Sequence, residues 1–199
     1  MFFISTIIFI TLIATIATDI FLLIKLLEFI YCANIRHQPP FVASGKLSRK
    51  SVIQQITTKY PNAKNICEIG SGFGGLARTI ARGTNANVYA LENMPFTAFV
   101  SKTLDKLTHC KNNTTVWCDA FKFLAETDKK FDIAIAYMGP TATPMLTKYK
   151  TKIKVLISLD FEIPNLPPVF VLNTEPGYTI YNKRKYPHRL FIYDFAQNK

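Results

Sequence analysis

The sequence has few residues of the kinds that build metal sites and covalent cross-links. Its 199 residues include four cysteines and three histidines. No two cysteines have the Cys-x-x-Cys spacing of a zinc site, and the histidines are scattered along the chain. Disulfide frameworks are typical of much shorter secreted chains. We therefore expect no metal site and four reduced thiols, at Cys32, Cys67, Cys110 and Cys118.

Acidic residues are also scarce. The chain has 13 aspartates and glutamates against 24 lysines and arginines, which gives a formal net charge of +11 at neutral pH. This excess favours an acidic partner, such as anionic lipid headgroups, a nucleic acid or an acidic protein surface. Charge alone does not choose among these partners.

Charge is almost missing from the N-terminal segment Phe2–Ile24, in which Asp19 is the one charged residue. As a helix, this segment would be about 34 Å long, enough to cross the ~30 Å core of a bilayer. We predict a single transmembrane anchor helix within residues 1–33. A cleavable signal peptide and a buried helix of a soluble protein are the alternatives. By the positive-inside rule, the basic residues that follow put the rest of the chain on the cytoplasmic side. They are Lys25, Arg36, Lys46, Arg49 and Lys50.

The rest of the sequence divides into a connector with a short helix, residues 34–60, and a C-terminal domain, residues 61–199. Pro39 and Pro40 prevent the anchor helix from continuing, and Ser48 or Ser51 is placed to cap the short helix. In the C-terminal domain, short apolar strands alternate with helical segments. This order predicts a doubly wound, mostly parallel sheet of the Rossmann-like α/β class, with an antiparallel hairpin at one edge. The predicted strands are residues 65–69, 88–91, 115–118, 131–137, 154–158, 169–172 and 190–193.

A glycine-rich loop follows the first strand of this domain and precedes a helix, and it fits two templates. Gly70, Gly72 and Gly75 match the GxGxxG fingerprint of dinucleotide-binding domains. Gly70, Gly72 and Gly74, preceded by Glu68, resemble motif I of the class I methyltransferases, (E/D)xGxGxG. Glu68 favours the second template. A carboxylate at a helix N-terminus repels pyrophosphate, but it attracts the ammonium and sulfonium groups of S-adenosylmethionine.

Acidic residues also end the next two strands. Glu92 is placed to accept both hydroxyl groups of a ribose, in S-adenosylmethionine and NAD alike. In methyltransferases a residue at the position of Asp119 commonly receives the adenine amino group, so the resemblance implies that role here. The structural alternatives are a solvated strand end for Glu92 and the N-cap of a following helix for Asp119.

With these residues in place, the chain resembles the ATP synthase c-subunit lysine N-methyltransferase-like family, including its small bacterial relatives. Members join one membrane helix to a class I methyltransferase domain. The resemblance implies S-adenosylmethionine as the cofactor, Asn93 beside Glu92 in the cofactor site, and a lysine of a membrane-associated protein as the acceptor. The segments that carry the resemblance are Pro40–Ser44, Glu68–Gly74, Glu92-Asn93, Phe131-Asp132, Tyr137–Pro140 and Leu159–Pro164.

We expect the acceptor at the end of the fourth strand, because ligands of open α/β sheets bind at carboxyl strand ends. Tyr137 is the predicted catalytic residue, which hydrogen-bonds or packs on the incoming amine. An aromatic side chain that only covers the sheet is the alternative. Met138, Gly139 and Pro140 form the predicted substrate loop.

Other functions and partners stay open on the sequence alone. A lipid or small-molecule methyltransferase is one alternative, and an NAD(P)-dependent oxidoreductase or inactive Rossmann-like membrane module is another. A nucleic acid acceptor is not expected, because the Asn-Pro-Pro-Tyr type of loop found in nucleobase methyltransferases is missing. Lys183, Arg184, Lys185 and Arg189 are placed to bind anionic lipid or an acidic substrate, with a solvated turn as the alternative.

Overall fold

The computed structural model describes residues 2–34, 44–179 and 182–196, and the chain forms two compact units, Met1–Pro40 and Phe41–Lys199. In the first unit, helix α1 covers Phe2–Asn34. Its segment Ile4–Glu28 has a mean hydropathy of 2.6 and is long and apolar enough to span a membrane. Two predicted features lie outside the described residues: the connector around Pro39 and Pro40, and the side chains of the basic turn, residues 183–185.

The second unit contains a seven-stranded sheet. Its strands are β1 (Asn65–Ile69), β2 (Asn87–Glu92), β3 (Asn113–Trp117), β4 (Phe131–Ala136), β5 (Ile153–Leu159), β6 (Phe170–Thr179) and β7 (Asn182–Asp194). They follow the order β3-β2-β1-β4-β5-β7-β6. The first five pair in parallel, and β7 is antiparallel to both β5 and β6. The predicted doubly wound, mostly parallel sheet with an antiparallel edge hairpin is confirmed.

Helices connect and cover these strands. They are α2 (Lys46–Lys59), α3 (Gly75–Gly83), α4 (Pro95–Leu107), α5 (Ala120–Glu126) and a 3₁₀ helix (Thr143–Tyr149). The predicted cap of α2 is wrong. The helix begins at Lys46 with Gly45 at its N-cap and no side-chain cap. Ser48 and Ser51 lie inside the helix, where Ser48 is buried.

Alternate side chains of the parallel strands pack on opposite faces of the sheet, because both faces are covered. The first face packs against α2 and α3 through Val52, Ile56, Leu76, Ile80, Ile66, Val88, Ile133 and Ile157. The second face packs against α5 and the 3₁₀ helix through Leu124, Leu146, Cys67, Ile69, Phe131 and Leu156.

The strand order reverses between β1 and β4, which pair directly although β2 and β5 lie on opposite sides of them. Ligands of doubly wound sheets bind in the crevice outside the carboxyl ends of the strands at such a reversal. The glycine loop follows β1 at this edge, and Glu92 and Tyr137 stand at the ends of β2 and β4. The fold therefore gathers the predicted site residues at one edge of the sheet.

Candidate functional site

The loop between β1 and α3 depends on glycine for its shape. Gly70, Gly72 and Gly74 have φ values of 72°, 56° and 69°, in the left-handed region that residues with side chains rarely adopt. Gly75 leaves room for Arg49, since a Cβ on it would lie 2.7 Å from Nη1 of that side chain, which would then have to shift. The left-handed glycines are thus the three of the (E/D)xGxGxG pattern.

Glu68, at the end of β1, directs its buried carboxylate toward the start of α3. The backbone N–H of Ala77, in the first turn of that helix, faces this carboxylate and favours its ionised form. The chain's own acid therefore occupies the helix N-terminus, where dinucleotide-binding domains receive a phosphate. Burial raises the pKa of Glu68 to about 8, while Ala77 and the Arg49 guanidinium act in the opposite direction.

A cavity of about 250 Å³ lies beside Glu68, between the glycine loop, the end of β4 and the start of α2. Two polar atoms of residues in its wall, Oε2 of Glu68 and Oγ of Ser71, are buried and have no hydrogen-bond partner. Buried polar atoms are nearly always paired in folded proteins. Two orphaned atoms in one cavity wall therefore indicate a place for a polar ligand.

Two arginines line this cavity, Arg49 and Arg78, and Arg78 is paired with Asp105. Nε of Arg49 donates to the carbonyl oxygen of Ser44 at 3.0 Å and to the Ser44 hydroxyl at 3.2 Å, which holds the guanidinium above Gly75. The sequence pattern puts Arg49 only in the basic flank of the membrane helix and indicates no role for Ser71. The signal that could have found Arg49 is Gly75, whose missing side chain makes room for it.

Both oxygens of Glu92 hold backbone groups around the glycine loop. Oε2 accepts from the N–H of Gly72 at 2.6 Å, and Oε1 accepts from the N–H of Met94 at 2.8 Å. The residue is 7% exposed, so it is not a solvated strand end. Each carboxylate oxygen can accept a second hydrogen bond, and the ribose role of Glu92 stays a prediction.

Asp119 is exposed and forms the N-cap of α5. Its Oδ1 accepts from the N–H groups of Phe121 and Lys122, at 2.9 and 3.0 Å. Asp119 is therefore an N-cap, which is the structural alternative for this residue. A contact between its other carboxylate oxygen and adenine stays a prediction. On the adjacent strand end, the carbonyl of Asn93 accepts from Nε1 of Trp117 at 3.1 Å.

Tyr137 follows β4 and forms part of the cavity wall. Its ring packs on Phe161, with 5.8 Å between the ring centroids, and its hydroxyl lies near the Asp160 carboxylate. Burial, and then the charge of Asp160, raise the pKa of Tyr137 to about 12. The phenol is therefore protonated at neutral pH and acts as a donor rather than as a base.

The predicted substrate loop, Met138–Pro140, borders the glycine loop. Cγ of Met138 lies 4.0 Å from the position of a Cβ on Gly70. Gly139 turns the chain with a φ of 87°, and Pro140 is exposed. The geometry places the predicted cofactor and acceptor segments side by side, while their roles stay predictions.

No family model matches the sequence, and no curated protein is significantly similar to it. Solved structures do match the fold. An RNA methyltransferase from Salinibacter ruber, in complex with S-adenosyl-L-homocysteine, is 15% identical with a TM-score of 0.58, over 77% of this chain and 94% of its own. A precorrin-6y C5,15-methyltransferase from Geobacter metallireducens is 14% identical with a TM-score of 0.57, over 76% and 92%. A precorrin-8w decarboxylase from Methanobacterium thermoautotrophicum is 17% identical with a TM-score of 0.57, over 83% and 96%.

These likenesses define the class of fold. The C-terminal domain has the Rossmann-like fold that S-adenosylmethionine-dependent methyltransferases share, as the sequence predicted. At such identities the likeness concerns the fold alone, so the reaction must be argued from the site.

Proposed function

We propose that the chain is an S-adenosylmethionine-dependent methyltransferase that acts at a membrane. The observation that carries this proposal is the cavity in which the orphaned oxygen of Glu68 and the guanidinium of Arg49 lie together. The ammonium of an α-amino acid group would bind the Glu68 oxygen, and its carboxylate would bind the Arg49 guanidinium. The methionyl part of S-adenosylmethionine is such a group, and the Ser71 hydroxyl is available to the same ligand.

The residues around the cavity fit the rest of this cofactor. The cavity holds the methionyl part, while Glu92, Asn93 and Asp119 lie along the open strand ends where the adenosyl part would bind. When bound, the cofactor supplies an activated methyl group on a sulfonium. The chain's residues then bind and align the donor against the acceptor, which is the larger part of catalysis in such a displacement.

An NAD(P)-dependent oxidoreductase is the weaker candidate. The pyrophosphate of a dinucleotide would have to bind at the N-terminus of α3, which the buried Glu68 carboxyl group already occupies. A phosphate there would repel the ionised form of Glu68, whereas the ammonium of S-adenosylmethionine would stabilise it.

For the acceptor, we propose a lysine side chain of a membrane-associated protein. Two observations support this choice: the resemblance of the sequence to membrane-anchored lysine methyltransferases, and the long apolar helix α1. We further propose a single span, with the catalytic domain on the cytoplasmic side, where the +11 charge would favour anionic lipid or an acidic partner.

Binding by the full-length chain in detergent micelles tests the cofactor. Isothermal titration calorimetry and the fluorescence of Trp117, the single tryptophan of the chain, would be followed with S-adenosylmethionine, S-adenosylhomocysteine, NAD and NADP. We expect binding of the first two only. Gly72→Arg, which fills the loop, should abolish it. Binding of a nicotinamide cofactor alone would overturn the proposal.

The acceptor is tested with S-adenosylmethionine that carries a radiolabelled methyl group. The full-length chain would be incubated with membranes from cells that lack it, and protein and lipid fractions would then be separated. Label in protein, recovered as methyl-lysine after hydrolysis, supports the lysine proposal. Label found only in the lipid extract favours the lipid methyltransferase instead.

A further inference from the structure

A cluster of three polar side chains at the carboxyl edge of the sheet joins the predicted residue Tyr137 to two residues that have no predicted role. Tyr137 follows β4, Asp160 follows β5, and His188 belongs to β7. The antiparallel pairing of Leu159 with Leu190 brings the last two together. Tyr137 connects this cluster to the cavity that the proposed function assigns to the cofactor.

Asp160 is held firmly in this cluster. Its Oδ2 lies 2.6 Å from Nδ1 of His188, and its Oδ1 accepts from the backbone N–H of Arg189 at 2.9 Å. Its own N–H donates to the Arg189 carbonyl at 2.7 Å. The φ of Asp160 is 64°, an uncommon conformation for a residue with a side chain. Such conformations persist where surrounding contacts hold them, and they concentrate at functional sites.

The arrangement fixes the chemistry of the His188 imidazole. An ionised carboxylate only accepts hydrogen bonds, so Nδ1 of His188 must donate to Asp160. A neutral imidazole with its proton on Nδ1 has its lone pair on Nε2, which makes Nε2 the proton acceptor. The Tyr137 hydroxyl lies near the same Asp160 carboxylate, whose charge acts on it.

The pair of His188 and Asp160 is partly buried, and both side chains keep some exposed surface that a ligand can contact. The side chains of His188 and Asp160 are 19% and 23% exposed. An ordered pair at the carboxyl ends of the strands, next to a cavity residue, is a candidate for acid–base work.

We propose that His188 is the general base that removes a proton from the methyl acceptor, and that Asp160 is its positioning residue. This inference rests on the proposed methyltransferase function and specifies the acceptor as a protonated primary amine. Nε2 of His188 takes one proton from the ammonium, which frees the nitrogen lone pair. The lone pair forms the new N–C bond, the methyl–sulfur bond breaks, and its electron pair stays on sulfur. The imidazolium then releases its proton to water.

A primary amine fits this base better than an alcohol does. The pKa of a free lysine ammonium is about 10.4, and desolvation together with nearby positive charge lowers it toward that of imidazole. The sulfonium of the bound cofactor would supply that positive charge, together with Arg49, which lines the cavity that Tyr137 borders. An aliphatic alcohol has a much higher pKa, so imidazole can assist its deprotonation only while the new bond forms, as it does for the serine of a Ser-His-Asp triad.

Two variants separate the proposed base from its positioning residue. His188→Gln removes the imidazole. Asp160→Asn keeps a residue that tolerates a φ of 64° and can still accept from Arg189 N–H, but its amide NH₂ would force Nδ1 of His188 to become the acceptor. His109→Asn is the matched control, because His109 is an exposed histidine with a φ of 49° in the turn before β3.

The test uses the full-length chain in micelles and has three readouts. They are calorimetric affinity for S-adenosylhomocysteine, the rate of label transfer to membranes from cells that lack the chain, and the histidine tautomer from long-range ¹H–¹⁵N NMR spectra. We expect unchanged affinity in all variants. The transfer rate should fall about 100-fold or more in His188→Gln and Asp160→Asn, through kcat rather than KM. His188 should be protonated on Nδ1 in the wild type and on Nε2 in Asp160→Asn.

The outcomes distinguish this inference from the function on which it rests. A wild type that binds no S-adenosylhomocysteine overturns the proposed function, and the inference falls with it. Normal binding overturns the inference alone under any of three conditions: His188→Gln retains more than a third of the wild-type rate, wild-type His188 is protonated on Nε2, or the label is found on hydroxyl groups.

Discussion

The carboxylate of Glu92 lies 2.6 Å from the backbone nitrogen of Gly72, so the acid that ends β2 holds the glycine loop that follows β1. A glutamine at this position would present an NH₂ group to one of the two backbone donors, at Gly72 or Met94. We expect Glu92→Gln to weaken S-adenosylhomocysteine binding more than tenfold and to lower the free energy of unfolding by ~1–3 kcal/mol. Calorimetry and urea denaturation measure the two effects.

The control for this prediction is Glu126→Gln on α5. Glu126 is an exposed carboxylate whose contact with Lys122 spans 3.8 Å, with both side chains more than half exposed. It should change neither affinity nor stability measurably. Wild-type affinity in Glu92→Gln would show that the Gly72 contact does not shape the binding loop.

Glu68 gives the chain a distinctive pH dependence. Its pKa of about 8 in the folded state lies above the ordinary glutamate value near 4.3. Between these values the folded state holds a proton that the unfolded state has lost. Stability should therefore fall as pH rises from about 4.5 to 8. Glu68→Gln removes this dependence. Between pH 5 and pH 9 the wild type should therefore lose about 4 kcal/mol of unfolding free energy relative to Glu68→Gln, as measured by urea denaturation.

The same substitution should remove cofactor binding. An ionised Glu68 attracts an ammonium, so wild-type affinity for S-adenosylhomocysteine should rise with pH up to about 8, with proton release measurable by calorimetry in buffers of different ionisation enthalpy. Glu68→Gln should bind weakly at every pH. If it binds like the wild type, Glu68 has a structural role at α3 and no role in the ligand site.

Much of the domain could be predicted from the sequence, because the deciding signals are local. The strand Asn65–Ile69 was predicted at its observed ends, since an apolar run stops at a loop that only glycines can form. The edge hairpin followed from two late apolar segments. The order of strands and helices then leaves few topologies for a parallel sheet.

Other features depend on contacts between distant segments and could not be predicted. Arg49 reaches the glycine loop only because α2 packs beside α3, and Asp160 meets His188 only through the register of β5 and β7. On α4, the apolar residues of the sequence also fail to indicate which side chains are buried. Phe99 is 65% exposed, while Asp105 is buried because Arg78 pairs with it.

Gly74 and Gly139 both have a backbone conformation that strains other residues, but only Gly74 has neighbouring atoms where a Cβ would lie. Both have a left-handed backbone, at 69° and 87°. A Cβ on Gly74 would lie 2.4 Å from the Ser101 hydroxyl, whereas a Cβ on Gly139 meets nothing within 4 Å. We expect Gly139→Ala to lower the unfolding free energy by about 1 kcal/mol and Gly74→Ala by about 3 kcal/mol. Equal losses by urea denaturation would mean that Ser101 moves aside without cost.

The ion pair between Arg78 and Asp105 stabilises the glycine loop. Nη1 of Arg78 lies 3.0 Å from Oδ1 of Asp105, and the two side chains are 12% and 10% exposed. Nη2 of the same arginine donates to the carbonyl of Phe73 at 2.5 Å, so the pair fixes a loop residue. Asp105→Ala leaves a buried guanidinium without its partner, and we expect it to lower the unfolding free energy by about 3–5 kcal/mol.

A double variant separates the structural role of this pair from its role in the loop. Arg78→Met with Asp105→Leu replaces two buried charges by apolar side chains, which is often neutral for stability. It should therefore recover most of the unfolding free energy lost in Asp105→Ala. The Phe73 carbonyl would still have lost its donor, so affinity for S-adenosylhomocysteine should stay at least tenfold below that of the wild type. Wild-type affinity in this double variant would show that the glycines alone, and not Arg78, set the conformation of the loop.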